Sequence, residues 1–201
     1  MDNQGIQCQK KLDLVGGDAV LFYDIFEPAR ADHYFNELHA HADWRKSHIK
    51  LFGKTHASPR LTCWYGDTAY TYSSMTWPAQ SWTPLLDEIR SSIELLSNTC
   101  LNGMLGNLYR TGADSMGWHS DDEPKLGPAP VLTSLSFGAT RRFVVRRKDD
   151  KSRKIDVPLP GNSLLIMRGA TQANWQHAIP KTRKPVGPRI NLTFRKMHPV
   201  A

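Results

Sequence analysis

From Gly103 onward the chain is a series of short apolar-rich runs: GMLGNLYR (103–110), VLTSLSFG (131–138), RRFVVRRK (141–148), IDVPL (155–159), SLLIMR (163–168), WQHAI (175–179) and RINLTFR (189–195). Each has the length of a strand, favours β-branched or aromatic residues, and is bounded by residues that turn a chain. No helical period intervenes between them, so alternating βαβ units are not expected. The pattern predicts an antiparallel barrel or sandwich.

The N-terminal half has a different texture. AVLFYDIF (19–26) reads as a strand, after which Pro28 opens a helix with Ala29, Tyr34, Phe35, Leu38 and His41 near the helical period, ending around Trp44. A second helix is expected to be capped by Ser81, to carry Pro84 in its first turn, and to bury the stripe Leu85, Leu86, Ile89, Ile93, Leu95 and Leu96. Residues 1–17 are polar, glycine-bearing and aperiodic, and are expected to be loosely ordered; residues 18–201 read as a single domain.

The three cysteines, Cys8, Cys63 and Cys100, show no zinc-binding spacing and read as free thiols of a reducing compartment. No segment approaches the roughly 20 apolar residues of a membrane helix. A monomeric protein of the cytoplasm, or of the nucleus in a eukaryote, with no membrane partner is expected. The net charge is +7, and Arg141, Arg142, Arg146, Arg147, Lys148, Lys151, Arg153 and Lys154 crowd one stretch. Such a stretch suits a polyanion and equally suits a solvated hairpin, and charge alone does not choose between them.

Chemistry enters with Trp118-His119-Ser120-Asp121. On a strand, residues two apart project from one face, so His119 and Asp121 can share an ion. His177, in WQHAIP, supplies a second imidazole. Two histidines and one carboxylate form the facial triad of non-haem Fe(II) oxygenases, which leaves open coordination positions. An HxD pair with a distant histidine also arises by chance, so the final strand matters. In RINLTFR, Arg189, Asn191, Thr193 and Arg195 alternate with Ile190, Leu192 and Phe194. Two arginines and two hydrogen-bonding residues on one face suit a dicarboxylate, because a guanidinium grips a carboxylate through parallel hydrogen bonds. Asn107 and Tyr109 repeat that logic on the strand leading toward His119.

These motifs, taken in order (NLYR, HSDDE, LSFGATRRFVVRRK, GNSLLIMRG, WQHAIP and PRINLTFRKM), resemble the AlkB family of Fe(II)- and 2-oxoglutarate-dependent dioxygenases, over about Phe52 to Met197. The resemblance implies a mainly β fold with flanking helices. Its core would be a double-stranded β-helix, or jelly roll, over about residues 100–197, with a mixed substrate-lid extension over about 45–80. It implies Fe(II) held by His119, Asp121 and His177. It implies 2-oxoglutarate held by Asn107, Tyr109, Arg189, Asn191, Thr193 and Arg195, with Arg189 on the distal carboxylate, and O₂ as the further cosubstrate. The implied substrate is alkylated DNA, with RNA as the alternative. The implied reaction is oxidative removal of a methyl group from bases of the 1-methyladenine or 3-methylcytosine type, yielding formaldehyde, succinate and CO₂. Phe52, with Gly53 and Lys54, resembles an apolar finger pushed into a duplex. Tyr70 and Tyr72 resemble a lid strand whose aromatic, Tyr72, stacks on an extruded base against His119, and Asp122 and Glu123 would meet the base's cationic or exocyclic groups.

Two other readings stay open at this point. One is the same iron chemistry on RNA or on a substrate that is not a nucleic acid. The other is a basic β-barrel that binds nucleic acid without catalysis.

Overall fold

The computed structural model describes residues 9–51, 54–72 and 75–199. The N-terminal half comprises β1 (Gln9–Lys11), β2 (Asp18–Phe22), α1 (Pro28–His41), β3 (Arg45–Leu51), β4 (Lys54–Gly66), β5 (Tyr70–Tyr72), β6 (Met75–Trp77) and α2 (Pro84–Ser97). Then follow β7 (Gly103–Tyr109), β8 (Met116–His119), β9 (Leu132–Gly138), β10 (Arg141–Arg147), β11 (Lys154–Leu159), β12 (Ser163–Arg168), the single turn α3 (Thr171–Asn174), β13 (Trp175–Ile179) and β14 (Arg189–Arg195). Every run expected to be a strand contains one, although the first, expected over 19–26, ends at Phe22.

The strands form an eight-stranded sheet in the order β1-β2-β12-β9-β14-β7-β4-β3 and a four-stranded sheet in the order β11-β10-β13-β8. All their pairings are antiparallel. The two sheets enclose one apolar core, with Leu165 and Met167 of β12 meeting Phe143, Val145, Val157 and Ile179 of the smaller sheet. On the far side of the large sheet, Leu164 and Ile166 of the same β12 join Tyr34 and Leu38 of α1 and Leu86, Ile89 and Ile93 of α2 in a second core. With apolar core on both of its faces β12 needs no polar side, and for that reason SLLIMR reads as a largely unbroken apolar run. The result is a jelly-roll core with two helices backing its larger sheet, as the resemblance implied. Burial of Ile190, Leu192 and Phe194 against the helices turns the other face of β14, with Arg189, Asn191, Thr193 and Arg195, toward the space between the sheets.

Two expectations at the N-terminal side need correction. Residues 9–17 belong to the fold: β1 pairs with β2, and Leu12 and Leu14 are buried in the inter-sheet core. The cap of α2 is Thr83, not Ser81; its hydroxyl accepts from the Leu86 N–H at 3.2 Å. Pro84 explains the shift, since proline favours the first helical position and so makes its predecessor the cap.

The basic stretch also differs from a free polycationic patch. Arg141 is buried and donates to the carbonyls of Thr111, Asp114 and Pro180 at 3.1, 2.8 and 2.9 Å. It therefore ties together the loops that follow β7 and β13. Arg142 pairs with Asp156, Arg147 with Asp149, Lys148 with Asp122 and Arg153 with Asp150. Arg146 donates to Gln176 Oε1 and lies 4.1 Å over the exposed Trp118 ring. Among the described residues, no helix is long and apolar enough to cross a membrane.

Candidate metal centre and cosubstrate cavity

The expected ligands meet at the mouth of the space between the sheets. His119 ends β8 and stands directly across from His177 in the β8–β13 pairing, with ring centroids 4.2 Å apart. Asp121 lies just past the end of β8, where its N–H donates to Gln172 Oε1 at 2.9 Å and the neighbouring Ser120 hydroxyl donates to the Trp175 carbonyl at 3.0 Å. One ligand atom from each of His119, Asp121 and His177 falls within 4.8 Å of the others. The His119 Nδ1 is 2.9 Å from the Gly117 carbonyl. A donating Nδ1 leaves Nε2 with its lone pair for a metal.

The electrostatics favour a ligand set over an ion pair. Burial, reinforced by His119, pushes the His177 pKa down to about 3, so its imidazole is neutral. Burial opposes the Asp121 charge, but Arg195, His119, His177 and Arg60 outweigh it and hold the carboxyl below its ordinary value. His177 Nε2 faces Asp121 Oδ2 at 3.6 Å, beyond hydrogen-bond reach. The tautomer protonated at Nδ1 turns the Nε2 lone pair toward a cation beside the carboxylate, and two imidazoles with one carboxylate suit non-haem Fe(II).

Behind the triad runs a cavity with about 620 Å³ of empty space, counted out into its open mouth. Asn107, Tyr109, Arg189, Asn191, Thr193 and Arg195 all line it. At its deep end Arg189 is 1% exposed and donates to Ser136 Oγ at 3.0 Å, while Nε and Nη1 have no hydrogen-bond partner among the described residues. Burial pulls the Arg189 pKa down to about 10. A buried guanidinium with two unused donors is costly unless an anion completes it, and a carboxylate fits that deficit. The residues present thus fit both an iron ion and a dicarboxylate. Gly138 pairs across from Arg189 at φ 77°, and a Cβ there would lie 2.5 Å from the Pro188 carbonyl, so the turn beside the arginine requires glycine.

The remaining polar groups hold one another in place. Asn191 donates to Ser134 Oγ at 2.8 Å and to the Leu135 carbonyl at 3.1 Å, and accepts from Thr193 at 3.2 Å. Arg195 donates to the Tyr70 hydroxyl at 3.0 Å and approaches Asp121 Oδ1 at 3.9 Å. Burial works against its charge, yet Tyr70, Asp121 and Glu123 together raise its pKa. The division between the two arginines follows: Arg189 lies at the far end and Arg195 beside the metal ligands.

The expected substrate contacts are distributed unevenly. Tyr70 lies deeper than expected, 2% exposed and stacked on Trp64 at 4.5 Å, and its hydroxyl donates to Glu123 Oε1 at 2.7 Å. Burial raises its pKa against the pull of Arg195, so the phenol keeps its proton. Glu123 Oε2 is buried with no hydrogen-bond partner among the described residues. Asp122 is exposed and engaged by Lys148 at 3.1 Å. Phe52 and Gly53 lie outside the described residues, as do the side chains of Lys54 and Tyr72, although Lys54 pairs with Leu51 and Tyr72 with Met75. Among the cavity residues that no sequence motif marked is Arg60, buried on β4, which donates to Asn107 Oδ1 at 2.5 Å. Its partner is remote in sequence, so no local signal marked it.

Residues 18–195 match the model of the 2OG-Fe(II) oxygenase superfamily. The chain is 40% identical over 209 residues to the human alpha-ketoglutarate-dependent dioxygenase alkB homolog 3, covering 99% of this chain and 73% of that one. The chain belongs to the AlkB family. The bovine alkB homolog 3 is 44% identical over 187 residues, covering 89% of this chain and 64% of that protein. The human DNA oxidative demethylase ALKBH2 is 38% identical over 185 residues, covering 86% and 71%. The solved structure of OsALKBH1 superposes with a TM-score of 0.60 at 17% identity, covering 93% of this chain and all of that one, a likeness of fold. The AlkB-family chain thus spans 64% of the bovine relative's length. Family membership implies Fe(II) with 2-oxoglutarate and O₂ as cosubstrates.

Proposed function

We propose that this AlkB-family chain is an oxidative demethylase of alkylated nucleic-acid bases, of the 1-methyladenine and 3-methylcytosine type, acting in repair in the cytoplasm or nucleus. The observation that carries the reading is the pair of unpartnered Arg189 donors in the same cavity as the His119, Asp121 and His177 cluster. When bound, iron and its cosubstrates would supply the oxidant that hydroxylates an N-methyl group, which then leaves as formaldehyde alongside succinate and CO₂. An N-methyl group has no activated leaving group, so hydrolysis does not serve.

The chain's own residues do the rest. His119, Asp121 and His177 would hold the metal. Arg189 would anchor the distal carboxylate of 2-oxoglutarate with Tyr109 beside it, and Arg195 and Asn107 would border the end nearer the metal. Phe143, Leu105, Met116, Leu159 and Ile179 line the cavity with apolar surface that limits water. Glu123 Oε2 would accept from the base, or balance its cationic ring. Asp122 would contribute charge at the rim by exchanging Lys148, since an exposed ion pair of this kind is worth little. Phe52 as a duplex finger and Tyr72 as the stacking aromatic belong to the same proposal. The test is a parallel assay on methylated single-stranded DNA, duplex DNA and RNA, with Phe52→Ala as a second arm. Wild-type demethylation of at least one of them supports the reading, and a finger role requires Phe52→Ala to lose more activity on duplex than on single strands. Release of succinate with every methylated base left intact would overturn the assignment of a nucleic-acid substrate.

A further inference from the structure

The Tyr70 hydroxyl occupies a position that neither the metal site nor the cosubstrate anchor needs. It accepts from Arg195 Nη1 at 3.0 Å and donates to Glu123 Oε1 at 2.7 Å. The Arg195 guanidinium also lies 5.2 Å over the Tyr70 ring. One oxygen therefore joins a wall of the cosubstrate cavity to the acid whose second oxygen, Oε2, is buried with no hydrogen-bond partner among the described residues. The chain of donors runs in one direction, guanidinium to phenol to carboxylate, and hydrogen bonds in series polarise one another.

Tyr70 is also an anchor for a separate piece of the fold. Strands β5 and β6 form their own two-stranded ribbon, outside both large sheets. Tyr70 holds that ribbon to the body by stacking on Trp64, whose indole N–H donates to the Thr68 carbonyl at 3.0 Å just before β5. Lys125, two residues after Glu123, reaches the Ala69 carbonyl at 3.5 Å. Any change in where Arg195 directs its donors is felt at the phenol, and through it at Glu123 and at the root of the ribbon.

We propose that Tyr70 is a positioning residue that couples the two sites: occupancy of the cosubstrate cavity beside Arg195 fixes the phenol, which fixes Glu123 for the substrate base. The proposal rests on the reading of this chain as a base demethylase. A coupling of this kind is reciprocal and is measured as a ratio of affinities. In Mn(II)-loaded protein, which does not turn over, 2-oxoglutarate should tighten binding of a labelled single-stranded oligonucleotide carrying one 1-methyladenine. The expected gain is about fivefold or more, read by fluorescence anisotropy.

In Tyr70→Phe the ratio of affinities with and without 2-oxoglutarate should fall to within about twofold of unity, whatever the absolute affinities become. A purely structural role would weaken binding equally in both conditions and leave the ratio intact, and that result overturns the proposal. Glu123→Ala removes the other end of the relay at a half-buried site and must give the same loss of ratio, so the test survives poor folding of Tyr70→Phe. If the wild type binds the oligonucleotide but 2-oxoglutarate makes no difference, the coupling fails and the demethylase reading stands. If it binds the oligonucleotide in neither condition, both fall.

Discussion

Replacing Arg189 by methionine should move ligand affinity and stability in different directions. The side chain is 1% exposed, donates to Ser136, and leaves Nε and Nη1 without a hydrogen-bond partner among the described residues. Its pKa, pulled down to about 10 by burial, says that the folded protein without ligand bears a cost for the charge. A carboxylate meeting those donors gains a charge-assisted contact of about 1.5–3 kcal/mol. At about 1.4 kcal/mol per decade, the Kd for 2-oxoglutarate should rise roughly ten- to a hundredfold. Removing this buried charge, which has no acidic partner among the described residues, should leave the ligand-free protein no less stable, because an uncompensated buried charge is costly to hold. Calorimetric titration of 2-oxoglutarate into Mn(II)-loaded protein reads the first effect, and thermal unfolding of the ligand-free protein reads the second. A Kd within about threefold of wild type, or a clear loss of stability without ligand, would mean that Arg189 is a structural strut, since the anchor role requires more than a few tenths of a kcal/mol.

Three further outcomes follow from the geometry. His119→Ala, Asp121→Ala and His177→Ala should each abolish Fe(II) binding, measured by metal analysis after desalting, while circular dichroism stays that of the wild type; retention of stoichiometric iron by any of them contradicts the triad. Chelation should lower the unfolding free energy of metal-saturated protein by about 2.7 kcal/mol when free metal had been held at a hundred times its Kd, and an unchanged midpoint would mean that no metal stabilises the fold. Arg141→Gln should cost about 1–3 kcal/mol by leaving buried carbonyls without a donor, and should leave the salt dependence of DNA binding unchanged, because this arginine points inward. A slope reduced by about 0.9 on duplex would instead assign it a phosphate contact.

The strands of the fold were legible because burial imposes period two, as in β14, or an apolar run, as in β12. In β14, Ile190, Leu192 and Phe194 face the helices, and its polar face is buried as well, over a cavity that periodicity cannot reveal. The triad was legible in composition, but the cross-strand register that sets His119 opposite His177 depends on a pairing between distant segments. The cap of α2 was decided by Pro84 rather than by the more distant Ser81. Residues 9–17 looked disordered because only Leu12 and Leu14 carry a core signal, too short a pattern to distinguish from a tail. The basic run misled in the opposite way. A cluster of arginines reads as a solvated surface, whereas Arg141 is buried because three loop carbonyls surround it. Arg60 and the Tyr70 relay were invisible for a common reason: their partners, Asn107, Glu123 and Arg195, lie far along the chain.

The central claim is that one cavity joins an iron site to a 2-oxoglutarate anchor and turns both on a methylated base. The direct measurement is to count succinate and lost N-methyl groups in one reaction on a single-stranded oligonucleotide containing 1-methyladenine, with Fe(II) and 2-oxoglutarate each omitted in turn. Equal amounts of both, vanishing together with either omission, are expected. Methyl loss that persists without 2-oxoglutarate, or succinate formed while the methyl groups remain, would contradict it.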